Sequence, residues 1–229
     1  MISLFSNRII LIAVVFLLSF PAFSQDQDFQ IWSGAEVKYK WNKKLSFGIE
    51  QALRTAHNSL LIGKTFTEIK VSYNLSKKMS VAGGYRFIQL YIGEKSLGDR
   101  FFADFKYSYK LDRIRLKYRF RYQYQTSSEK YTNTLRNQLK LGYNLPKTSI
   151  EPFLAGESYY TFYRGFDKYR VTVGLSEKFG KKLKGSIYYR FQREVNYSNV
   201  QTQNILGVNL SYNLGKRKNK KAEPQIIVE

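Results

Sequence analysis

Between Ile114 and Gln125 every second residue is a cation or an amide: Arg115, Lys117, Arg119, Arg121, Gln123 and Gln125. Guanidinium and ammonium groups at that spacing can do two things. They can pair with carboxylates in a fixed network, for which the planar, bidentate fork of arginine is suited. They can also line a passage or pocket that selects anions. The same parity, carried along the chain, sets Arg86, Arg100, Lys106, Arg136, Lys140, Arg170, Lys184 and Arg190 beside them. It also sets Glu36, Glu50, Glu68, Asp104, Glu151 and Glu157 on that side. The principal candidates for a charged lumen are Glu50, Arg86, Asp104, Arg115, Lys117, Arg119, Arg121, Arg136, Glu157, Arg170 and Arg190. Cations exceed acids, so both readings stay open: carboxylates that neutralise the arginines and fill the lumen, or a surplus of positive charge that draws small anions.

Catalytic signatures are sparse. The one histidine, His57, is followed by Asn58 and Ser59, but neighbours on a loop do not supply the geometry of a nucleophile, its base and an orienting group. A lipid-modifying enzyme built on His57 is the weaker alternative, and the expectation is a non-enzyme. There is no cysteine, which removes thiolate ligands, disulfides and a cysteine nucleophile. No compact carboxylate spacing indicates a metal site, no phosphate loop is present, and no cofactor is expected. A formal net charge of +21 would suit nucleic acid. Single-strand binders, however, interleave rings and cations on one surface; here they fall on opposite faces, so no nucleic-acid partner is expected.

The elements that must position these groups follow from the alternate residues. Ile114, Leu116, Tyr118, Phe120, Tyr122 and Tyr124 face away from the charges, a period of two that marks a strand with unlike faces. The pattern recurs near 29–41, 45–54, 65–75, 79–91, 100–111, 114–125, 133–145, 150–162, 168–179, 183–193 and 202–214. Most stretches reach the roughly 9–11 residues of a tilted transmembrane strand. In all, 17% of the residues are aromatic and 24% charged. An antiparallel up-and-down transmembrane β-barrel of about 10–12 strands reconciles these numbers, with rings toward lipid and charges toward water. Eleven strands sit awkwardly with the even numbers usual in bacterial barrels: either a strand is split or missed, or the edge assignment fails near the N-terminus, and the parity stays open. Pro152 and Gly156 mark 150–162 for a bulge or a strand end.

Connections near 42–44, 76–78, 112–113, 146–148 and 180–182 read as short turns. Those near 55–64, 92–99, 126–132 and 194–201 read as longer loops, with an intermediate link near 163–167. Tyr73-Asn74-Leu75, Tyr143-Asn144-Leu145 and Tyr212-Asn213-Leu214 form a weak repeat. Trp41, Tyr73, Tyr109, Tyr143, Phe179 and Tyr212 all adjoin short turns or the last strand end, and all share the apolar parity, as in an interfacial aromatic girdle.

Residues 1–24 read as a secretory signal peptide: Arg8, the apolar run Ile9–Phe20, then the small-x-small site Ala22-Phe23-Ser24. The mature chain, starting near Gln25, divides into a barrel over 25–215 and a basic tail over 216–229, with Lys216, Arg217, Lys218, Lys220 and Lys221. The tail reads as a solvated extension; a typical barrel ends on its last strand. The expected address is the outer membrane of a Gram-negative bacterium. The expected partners are outer-membrane lipid, the barrel-assembly machinery during insertion, and small anions.

Several motifs then carry a resemblance. They are Ile31-Trp32-Ser33, Val37–Leu45 with its Lys43-Lys44 turn, Glu50 and the strand-ending Arg54. Gly83-Gly84-Tyr85-Arg86, Arg136-Asn137-Gln138 and the run Glu151–Glu157 add to them. Over roughly residues 25–215 the chain resembles domain-of-unknown-function family 2490, small Bacteroidetes-type outer-membrane barrels. The resemblance implies a barrel and an outer-membrane address, and it carries no activity and no functional residue.

Overall fold

Alternation of apolar and polar side chains gives each strand one dry and one wet face, and closing the sheet removes its exposed edges. In a computed structural model, which describes residues 27–93, 95–127, 130–197 and 200–215, that closure is complete. Eleven strands form one barrel in sequential order. They are β1 (Gln27–Lys40), β2 (Leu45–Ala56), β3 (Leu61–Asn74), β4 (Met79–Leu90), β5 (Ser96–Leu111), β6 (Ile114–Ser127), β7 (Lys130–Tyr143), β8 (Ile150–Thr161), β9 (Gly165–Phe179), β10 (Leu183–Glu194) and β11 (Thr202–Leu214). The signal segment 1–24 and the tail 216–229 lie outside the described residues.

Among the described residues each of the eleven stretches of alternation becomes one strand. The odd count is resolved at the seam. With eleven strands the first and last run the same way, and β1 pairs parallel to β11 from Gln27↔Thr202 to Tyr39↔Leu214. Every other neighbour pair is antiparallel. The all-antiparallel expectation is corrected at this one junction.

The expected contrast of loop lengths is also corrected. One rim, named here for Trp41, carries the connections 41–44, 75–78, 112–113, 144–149 and 180–182. The opposite rim, named for His57, carries 57–60, 91–95, 128–129, 162–164 and 195–201. The strands run further toward the His57 rim than the stretches of clear alternation, with ladder pairs continuing to Leu61, Ser96 and Lys130. Pro152 sits where a strand end was expected. It faces Leu175 of β9, whereas pairing with β7 begins only at Phe153. Of the two register shifts, one lies within this same strand, at Tyr159/Tyr160, and the other at Arg54/Thr55.

The three-fold repeat has a structural role. The backbone amides of Asn74, Asn144 and Asn213 donate to the carbonyls of Lys44, Arg113 and Lys182 at 2.8, 2.9 and 2.8 Å. Each copy thus extends its hairpin to the preceding turn at the Trp41 rim. Trp41, Tyr73, Tyr109, Tyr143, Phe179 and Tyr212 are all exposed on the outer face of that rim. The Lys44 and Lys78 ammonium groups lie 5.9 and 4.9 Å from the ring centres of Tyr73 and Tyr109.

Inside, large rings lie across small residues of the neighbouring strand. A β-carbon added at Gly84 would stand 2.6 Å from the Ile69 carbonyl and against the Phe102 ring, whereas one at Gly83, on the outer face, meets only Phe102 O at 3.9 Å. Gly84→Ala is therefore expected to cost about 1–3 kcal/mol through overpacking. Gly83→Ala is expected to stay within about 0.5 kcal/mol. Thermal unfolding of the purified variants, followed by circular dichroism, checks the difference.

Candidate functional site: the charged barrel interior

The inner-face parity brings cations and carboxylates from neighbouring strands into one layer. Arg121 of β6 donates Nε and Nη2 to the two Asp104 oxygens of β5, at 2.5 and 2.9 Å. Asp104 also receives Lys106 at 3.2 Å. Arg86 of β4 donates Nε to Glu68 of β3 at 2.9 Å, and Arg121 reaches the same carboxylate at 3.9 Å. Glu157 of β8 takes three arginines: Arg119 and Arg136 at 2.8 Å and Arg170 at 3.3 Å. The Tyr159 hydroxyl donates to it as well, at 2.9 Å. Glu68, Asp104 and Arg121 are each only 3% exposed. Pairing is what makes such burial tolerable, since an unpaired buried charge is costly.

The layer continues through π-faces and amides. The Arg54 guanidinium lies 3.8 Å from the Trp32 ring centre and 5.0 Å from that of Phe66, and Arg86 lies 3.7 Å from Phe66 on its own side. Arg170 and Arg190 each approach Trp32 at 5.3 Å. Arg170 donates to Gln192, and Gln192 donates to Gln203 of β11 at 2.7 Å. The interior is thus bound together around the whole barrel, with arginine–aromatic contacts joining the sectors that lack a carboxylate.

The candidates named from the sequence separate into groups. Arg86, Asp104, Arg119, Arg121, Arg136, Glu157 and Arg170 meet in the central layer. Arg115 pairs with Glu151 at 2.5 Å nearer the Trp41 rim. Lys117 stands opposite Lys140 in the ladder, and among the described residues it has no ion-pair partner. Arg190 donates to Thr172 at 2.9 Å. Glu50 sits in register between Glu36 and Glu68 and pairs with no cation among the described residues; Glu36 is instead held by Lys38 and Lys70 at 2.8 and 3.0 Å. Sequence reasoning left out Arg54, Lys64, Trp32 and Tyr159. Arg54 shares the parity of Glu50, and Lys64 that of Glu68, but Lys64 was assigned to a loop and Arg54 to a strand end.

A cavity of about 730 Å³ extends from the His57 rim to the central layer. Twelve of its lining side chains are arginine or lysine and five are acidic, so positive charge dominates its wall. At its mouth the Tyr197 hydroxyl donates to Asp167 at 2.7 Å, and Arg164 lies 3.9 Å from the Tyr197 ring centre. Burial, reinforced by the hydrogen bond to the Asp167 carboxylate, holds the Tyr197 phenol well above its ordinary range.

His57 is exposed on the turn after β2. His57, Asn58 and Ser59 all adopt positive φ, at 51°, 55° and 66°, a conformation that is costly for residues with a β-carbon. Contacts to the start of β1 hold them there. Asn58 N donates to Asp28 at 2.7 Å, Phe29 N donates to Asn58 Oδ1 at 3.0 Å, and Ser59 Oγ donates to the Phe29 carbonyl at 3.1 Å. The serine and asparagine beside the histidine therefore anchor a turn. Among the described residues no three histidine, aspartate or glutamate side chains gather as a metal-binding group.

Comparison with known proteins returns one family. The family model described as "Protein of unknown function (DUF2490)" matches residues 29–218. A search of curated proteins finds no match.

The pairing pattern sets an order of sensitivity. Asp104→Asn strands Arg121 in a buried site and is expected to cost about 3–5 kcal/mol. Glu50→Gln removes a carboxylate that faces two others and is expected to be neutral or stabilising. Chemical unfolding of both variants in the same detergent tests this order; equal losses would contradict it.

Proposed function

This chain belongs to the DUF2490 family, and we propose that it is an exported outer-membrane barrel of a Gram-negative bacterium, its signal peptide removed near Ser24/Gln25. Its water-filled, arginine-rich lumen is braced by ion pairs and performs no catalysis. The observation that carries this reading is the segregation of side chains across one closed sheet. Ile49, Ile69, Val71, Phe101, Leu139, Val173 and Ile187 are exposed outside, whereas Glu68, Arg86, Asp104, Arg121, Arg136 and Glu157 are buried inside. A barrel dissolved in water would gain by the reverse arrangement, because its outer wall would otherwise present a continuous apolar surface. Lipid makes that surface favourable, while a charge facing lipid near the midplane costs about 2–4 kcal/mol.

The exposed rings at the Trp41 rim fit the polar–apolar boundary of a bilayer. Outer-membrane lipid is accordingly the outer partner, and the assembly machinery acts during insertion. The non-enzymatic reading is supported by His57, whose sequence neighbours are engaged in holding a turn.

A second reading, passage of small anions, is favoured by the surplus of seven cations along the cavity. A wall of fixed positive charge concentrates anions and repels cations.

One preparation tests both readings. In the native host, the protein is expected in the outer-membrane fraction, with unboiled protein migrating faster than boiled. The same protein in planar bilayers under a salt gradient is expected to give a reversal potential on the anion side. Recovery in the soluble periplasm would contradict the membrane barrel. Outer-membrane recovery without conductance would leave the barrel and remove the passage.

A further inference from the structure

Among the described residues several inner cations form no ion pair: Lys117, Lys140 and Lys184 toward the Trp41 rim, Arg190, which donates to Thr172, and Arg54, Lys64 and Arg100 toward the His57 rim. Arg54 of β2 and Lys64 of β3 are directly opposite one another on the inner face, at the edge of the register shift. Like charges placed so in a ladder repel, and partial burial increases the cost. Neither side chain forms an ion pair or a hydrogen bond among the described residues. The Arg54 guanidinium carbon lies 3.8 Å from the Trp32 ring centre, a contact that leaves its charge without a carboxylate partner among the described residues. The charges acting most strongly on Lys64 are those of Arg54, Arg100, Arg170 and Lys168, all positive. Arg100 faces Arg86 in the ladder and donates to the amide oxygen of Gln125, a neutral partner.

The neighbouring carboxylates are already engaged. Glu68 holds Arg86, Glu157 holds three arginines, Glu194 holds Lys168 at 3.3 Å, and Asp167 accepts from Tyr197. Arg54, Lys64 and Arg100 all line the cavity. A compact anion entering from the His57 rim therefore meets three cations from three strands, while Glu50, the carboxylate of the cavity wall without a cation partner among the described residues, lies deeper than Arg54 and Lys64, in the ladder row of Glu68 and Arg86.

We propose that Arg54, Lys64 and Arg100 form a binding site for a phosphate- or sulfate-class oxyanion. Donors from separate strands suit a tetrahedral group that accepts hydrogen bonds in several directions, and two negative charges offset the crowding better than one. A cavity of about 730 Å³ leaves room for the organic part of a phosphate ester. The phosphoryl group can come from a free solute or from a lipid head group. The site rests on the hydrated, charged interior proposed above, and it does not depend on the membrane address.

The test uses the full-length mature protein in a non-ionic detergent. Inorganic phosphate is titrated by calorimetry, with sodium chloride at matched ionic strength as the control. In a Trp41→Phe background, the fluorescence of Trp32 reports binding beside Arg54. Saturable binding with a change in Trp32 emission is expected, weakened at least about tenfold in Lys64→Gln and in Arg100→Gln. Lys43→Gln, on an exposed turn, is expected to leave it unchanged. Heat-modifiable migration confirms that each variant is folded, and the two interior variants are independent should one fail. A short-chain phosphatidic acid forms the second arm. Response to it alone, lost in Lys64→Gln or Arg100→Gln, assigns the same site to a lipid-borne phosphoryl group. No saturable response in either arm, or binding unchanged in both variants, overturns the proposal. Outer-membrane recovery together with such a failure would remove this site and leave the barrel standing.

Discussion

A guanidinium that loses its water needs negative charge, a π-face or a hydrogen-bond acceptor in return, and the interior of this barrel is organised around that requirement. Glu157 draws Arg119, Arg136 and Arg170 from three strands. Glu68 and Asp104 share Arg121 across β3, β5 and β6. Trp32 stands in for a carboxylate beside Arg54, while Phe66 and Tyr159 add π-faces to Arg86 and Arg136, which already hold Glu68 and Glu157. These contacts cross from strand to strand on the inside, while the backbone ladder joins the same strands along the wall. Breaking one partner of a pair strands the other, so the layer acts as a unit rather than as a sum of isolated bridges.

The seam shows the same economy of means. A parallel junction between β1 and β11 closes an odd-numbered sheet, and the inner residues at that junction tie into the layer. Trp32 of β1 lies near Arg170 and Arg190. Gln203 of β11 accepts from Gln192. On the inner face, Gly207 leaves space that the Tyr188 ring fills: a β-carbon there would stand 2.4 Å or less from several ring atoms. Closure therefore brings its own packing to the place where the first and last strands meet.

Much of this was legible in the sequence, for a definite reason. Alternation with period two reports facing directly, so the existence of the strands, the inward charges and the outward facing of the rings from Trp41 to Tyr212 could all be read from local pattern. What pattern does not report is non-local. The direction of closure depends on the total strand count. The choice of Glu157 as the hub for three arginines depends on register across β6 to β9. Strand ends toward the His57 rim were misplaced because mixed runs such as Leu61-Ile62-Gly63-Lys64 carry ladder pairs without a clean period of two. That misplacement hid Lys64, and with it the cationic corner shared with Arg54.

The central claim is that one face of this sheet meets lipid and the other meets water and charge. The chain has no cysteine, so single cysteines placed successively from Leu116 to Gln123 can each carry a nitroxide label in reconstituted bilayers. Collision rates with oxygen and with a water-soluble nickel chelate then report lipid and water at every position. The account predicts strict alternation: oxygen contact highest at 116, 118, 120 and 122, with the odd-numbered positions shielded from lipid. Equal access to the chelate on both faces, or a period other than two, would contradict it.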